Sequence, residues 1–86
     1  MSNVEKLLRE FGKILEKESN NKVKKAMQLF IKVDDIYKRI VLHGTGFSGE
    51  ITAKRLRDHF DTLDLMDGLD QCIEDMEYEL NENHIN

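Results

Sequence analysis

The chain has 86 residues, 40% hydrophobic and 35% charged, with one Cys, no Trp and no Pro. This length is one domain with a modest core. The lone Cys72 excludes an intramolecular disulfide or a Cys-based zinc site within one chain, and no apolar run approaches the length of a membrane span. Met1 to Glu5 lacks the pattern of a signal peptide, so the expected location is cytoplasmic.

The net charge of −4 hides an asymmetry. Residues 1–43 hold ten Lys/Arg against six Asp/Glu, while residues 44–86 hold three against eleven. From Asp58 to Glu82 there are ten acidic residues and no basic one. Such a division between halves speaks about partners.

In chain order, Val4, Leu7, Leu8, Phe11, Ile14 and Leu15 recur at helical spacing and predict a helix over about 3–18. Ser19-Asn20-Asn21 breaks the pattern and can cap the next helix. The second predicted helix covers about 22–43. Its main stripe is Val23, Ala26, Met27, Phe30, Tyr37, Ile40 and Val41, widened by Leu29, Ile31, Val33, Ile36 and Leu42. Asp34 falls at the edge of that stripe, and if buried would need Arg55 or Arg57 as a partner.

Residues 44–49 read as a loop. Gly44 or Gly46 can end the preceding helix in the left-handed conformation. Ser48 can cap the next helix, with Phe47 packing back as a staple. The third predicted helix covers about 50–80, with Leu56, Phe60, Leu63, Met66, Leu69, Ile73, Met76 and Leu80 at steps of three or four. Residues 81–86 read as a frayed tail. The expected fold is therefore all-α, one domain over 1–86. It is a three-helix antiparallel bundle or hairpin with a long last helix, or four helices if that helix breaks near Gly68.

A helix of about 30 residues is roughly 45 Å long, whereas a domain of this size has a diameter of roughly 30 Å. An unbroken last helix would overhang a monomer, so Leu69, Ile73, Met76 and Leu80 are the expected interface of a homo-oligomer. Gly in a helix interior costs about 1 kcal/mol, which permits a break without forcing one.

The glycine loop lacks the Lys and Ser/Thr of a phosphate-binding loop, since Glu50 and Ile51 come directly after it. Histidines 43, 59 and 84 form no ligand set, and Cys72 and Ser48 have no identifiable catalytic partner. The expectation is a non-enzyme without cofactor or metal. Asp61, Asp64, Asp67, Asp70, Glu74 and Glu77 are the candidate contacts with a basic protein partner, because a merely solvated helix would intersperse Lys among its acids. The predicted function is a self-associating helical interaction module: an inhibitor, adaptor or regulator.

Two alternatives compete. A small DNA-binding regulator would use Lys22, Lys24, Lys25, Lys32, Lys38 and Arg39, with Lys54, Arg55 and Arg57 near phosphates, but the acids from Asp61 onward would repel DNA. A magnesium-dependent nucleotide pyrophosphohydrolase of the MazG type would set Asp58 and Asp61, or Glu74 and Glu77, against Asp34-Asp35.

Overall fold

The computed structural model describes residues 3–46 and 51–85, with side chains for 4–46 and 51–82. The described residues form five helices and no strand: α1 (Asn3–Lys17), α2 (Asn21–Lys32), α3 (Asp35–Gly44), α4 (Ala53–Leu65) and α5 (Leu69–Ile85). The all-α class is as expected. The number of helices exceeds the expected three or four, because the second predicted helix breaks as well as the last.

The first break comes after Lys32. Val33 and Asp34 are both extended, with ψ of 158° and 167°. Val33 closes α2 by donating its N–H to the Leu29 carbonyl at 3.1 Å. Asp34 opens α3: its side chain accepts the Tyr37 N–H at 2.8 Å, a standard N-cap use of Asp. It is therefore a cap and not a residue of the stripe edge, and neither Arg55 nor Arg57 is its partner. The Lys38 ammonium donates to the Val33 carbonyl at 2.6 Å, satisfying an oxygen that the end of α2 leaves over.

The second break falls at Met66-Asp67-Gly68. The Gly68 N–H reaches back to the Leu63 carbonyl at 2.7 Å and the Asp67 N–H to Asp64 at 3.3 Å, the paired bonds of a Schellman ending. The left-handed residue is Asp67, at φ 59°, a position that Asp tolerates better than most side chains. Gly68 serves close approach instead: a Cβ there would lie 3.3 Å from Leu63 Cδ2. Of the two forms expected for the last segment, the continuous helix is corrected and the break near Gly68 is the one found.

Several boundaries agree with expectation. Asn20 caps α2, its Oδ1 accepting the N–H groups of Lys22 (3.0 Å) and Val23 (3.2 Å). Gly46 is left-handed at φ 75°, just after α3. Others differ. Thr52 caps α4 by accepting the Arg55 N–H at 3.2 Å, so that helix begins at Ala53 and not near Glu50. The expected cap Ser48 and staple Phe47 lie outside the described residues. The predicted tail continues as helix to Ile85.

Phe11, Phe30 and Phe60 are fully buried, one each from α1, α2 and α4. Their ring centroids form a triangle with sides of 5.6, 6.1 and 6.1 Å. Burying each phenyl contributes about 1.5–3 kcal/mol, and each tilted pair about 0.5–1.5 kcal/mol more. Val23, Ala26, Met27 and Leu56 pack around the rings, and α5 closes the core with Leu69, Ile73 and Met76. The radius of gyration is 12.3 Å and the longest extent 33 Å, so the overhang expected of an unbroken last helix is absent.

Candidate protein-interaction surface

The breaks redistribute the residues expected at the surface. Leu69, Ile73 and Met76 are buried in the chain's own core, and Leu80 packs against it. The oligomer interface expected from these four is corrected accordingly: folding α5 back consumes that apolar stripe within one chain.

The acidic residues divide into two groups. Lys22 of α2 meets Asp70 at 3.2 Å and lies 4.0 Å from Asp64. Asp64 also accepts a hydrogen bond from Asn20 Nδ2 at 3.2 Å, and Lys25 meets Glu77 at 3.6 Å. The Asp70 carboxylate, with Asp64 and Asp67 behind it, raises the Lys22 pKa. Asp64, Asp70 and Glu77 thus close against the basic half of the same chain. Asp67 and Glu74 are exposed and enter no ion pair among the described residues. Asp61 meets Arg57 only at 4.0 Å.

Arg57 is committed elsewhere. Its Nε and Nη2 donate to the two Glu18 carboxylate oxygens at 2.6 and 3.0 Å, a bidentate fork across 39 positions. Glu18 also accepts the Asn20 N–H at 3.0 Å, and its side chain is only 4% exposed. The Arg57 hydrogen bonds hold the Glu18 carboxyl below its usual pKa, and the pair raises that of Arg57 in return. Sequence reasoning missed Glu18, because a contact so distant along the chain has no local signature.

Two large apolar side chains stand where α4 ends: Leu65 is 80% exposed and Met66 72%. Helical spacing expected Met66 inside with Leu63 and Leu69. Instead the Schellman ending turns the chain before Met66 can continue along α4 inward. Leu65 shares its outer face with Asp58 and Asp61, seven and four residues earlier, and Asp67 comes two residues later. The signal in the sequence was the run Leu65-Met66 just before Asp67-Gly68, two adjacent apolar residues that one helix face cannot hide together.

The chemistry of the alternatives is not assembled. Asp34 is occupied in capping α3, while Asp58 and Asp61 flank Arg57. Among the described residues no three His, Cys, Asp or Glu side chains converge to hold a metal ion. Burial and the Asp75 carboxylate push the Cys72 thiol up, opposite to what a nucleophile needs. Of the six basic residues a DNA surface would use, Lys22 and Lys25 pair with acids and Lys38 is buried. No described helix is long and apolar enough to cross a membrane. Comparison with protein families, curated proteins and solved structures finds no match.

Proposed function

We propose that the chain is a non-catalytic interaction module whose docking point is the α4–α5 corner. Leu65 and Met66 are the anchors. Asp58, Asp61 and Asp67 form the rim, and the partner carries an apolar pocket edged by Lys or Arg. The carrying observation is the exposure of two adjacent large apolar side chains within an acidic stretch. Interfaces concentrate their energy in a few such anchors and use surrounding charge for steering and register. Of the six acids expected to make contact, Asp61 and Asp67 lie at this corner and Glu74 stands free on α5. Asp64, Asp70 and Glu77 serve the fold. The reading is of an inhibitor, adaptor or regulator in a reducing compartment.

A photo-crosslinking residue at position 65, with position 13 on α1 as control, would identify the partner. Affinity of the purified partner is then measured for the wild type and for Leu65→Ser with Met66→Ser. The expected result is at least about a tenfold loss, together with affinity that falls as salt rises. Affinity unchanged in the double variant, or indifferent to salt, would overturn the proposal.

A further inference from the structure

α3 is the least packed helix. Its apolar side chains are Ile36, Tyr37, Ile40, Val41 and Leu42, and none is fully buried; the buried residue of α3 is Lys38. Tyr37, Val41 and Leu42 rest half-buried against the core. Ile36 and Ile40, one turn apart, are 71% and 61% exposed. A ten-residue helix is marginal in water without packing, and exposed isoleucines do not favour helix through propensity. The face calls for a cover.

The charges beside it say which. Asp35 and Arg39 are also one turn apart, on one flank of the Ile36–Ile40 stripe, and both are exposed. Asp35 reaches Lys38 only at 3.9 Å, and Arg39 makes no ion pair among the described residues. A basic partner would meet Arg39, and an acidic partner would meet Asp35. A second α3 lying antiparallel across a two-fold axis satisfies both. It sets Ile36 of each copy against Ile40 of the other, and Arg39 of each toward Asp35 of the other. Such a patch is its own complement, which is what an isologous interface requires.

We infer that a second copy of this chain covers α3. The helix is about 15 Å long, so the contact lies at the small end of specific interfaces and the dimer is weak and concentration-dependent. It stands independently of docking through Leu65 and Met66, which uses another surface.

Sedimentation equilibrium up to about 1 mM chain would show a reversible dimer, a range that covers weak association. Ile36→Ser with Ile40→Ser weakens it at least about tenfold and leaves the thermal melt of dilute protein nearly unchanged, since neither side chain is buried. Asp35→Lys and Arg39→Glu each weaken their own homodimer, and mixing the two variants restores association, because every cross pair is again opposite in sign. In the wild type, amide shifts on dilution are confined to α3. A monomer throughout the range overturns the inference. So does a dimer indifferent to the isoleucine changes, a mixture of charge variants that stays monomeric, or dilution shifts at residues 61–70 with α3 silent.

Discussion

At the scale of single residues, one polar contact ties distant parts of the chain together around the apolar core. Glu18 sits at the α1–α2 corner and Arg57 in the second turn of α4, and their fork joins the two halves of the chain. Arg57→Met leaves a nearly enclosed carboxylate with only the backbone N–H groups of Ser19 and Asn20. It is expected to cost about 1–2 kcal/mol at neutral pH, as removal of one partner of a charged hydrogen bond does. Because the folded pKa of Glu18 is lowered, its contribution is present above its unfolded pKa and fades as pH falls through the folded one. Urea unfolding at pH 7 and pH 3 should therefore show a gap between variant and wild type that narrows at pH 3. An equal gap at both would mean that Arg57 acts through packing alone. The periodicity of the sequence placed Phe11, Phe30, Phe60 and Leu56 inside, because those positions obey a local rule. It could not pair Glu18 with Arg57, nor foresee a lysine as the buried residue of α3, because both depend on where another helix ends.

At the scale of elements, the break after Lys32, which the sequence did not announce, and the break near Gly68, which it offered only as an alternative, share one cause. Three-and-four spacing reports which face of a helix is apolar, not whether its axis continues. Where both segments turn that face to the same core, the apolar pattern survives a sharp bend. It ran through Val33-Asp34 and through Met66-Asp67-Gly68 alike. The legible clues were capping clues: Asp34 with Asp35 behind it, and Asp67-Gly68. The cost of missing them fell on Ile40 and Met66, both expected inside and both exposed. The cap can be tested. Asp34→Ala removes the acceptor for the Tyr37 N–H and is expected to cost α3 about 1 kcal/mol. Because α3 contributes so little to the core, the loss should be local. Amide exchange should quicken about fivefold over 35–44, the factor that corresponds to 1 kcal/mol, and stay nearly constant in α2 and α5. Exchange that quickens equally everywhere would show that α3 is integral to global stability.

At the scale of the whole molecule, the basic and acidic halves meet each other along one seam of α2. Lys22 and Lys25 face Asp64, Asp70 and Glu77, so half of the acidic site read from the sequence belongs to the fold. Sequence could show the charge separation but not that the halves fold together. The titrating groups predict how the molecule responds to acid. Burial lowers the pKa of His59, and Arg57 lowers that of Glu18. Both shifts are downward, so both contributions are present above the unfolded pKa values and lost on acidification. Urea midpoints should hold near neutrality, begin to decline below about pH 6.5, where His59 of the unfolded chain takes up a proton that the folded one resists, and decline further below about pH 4.5, where Glu18 of the unfolded chain does the same. A midpoint that rises between pH 7 and pH 5 would contradict this.

The helices also interlock out of order: α1 lies against α4, and α2 lies against α5. A chain emerging from the ribosome presents α1 and α2 first, with Phe11 and Phe30 still lacking Phe60 and the floor that Leu69, Ile73 and Met76 supply. The rings can close on one another once α4 has emerged, but the core keeps an open side until α5 has cleared the exit tunnel. A stop codon placed in the α4–α5 turn would leave the three phenyl rings together but strip away Leu69, Ile73 and Met76, opening one side of the core to water and marking the fragment for chaperones and proteases.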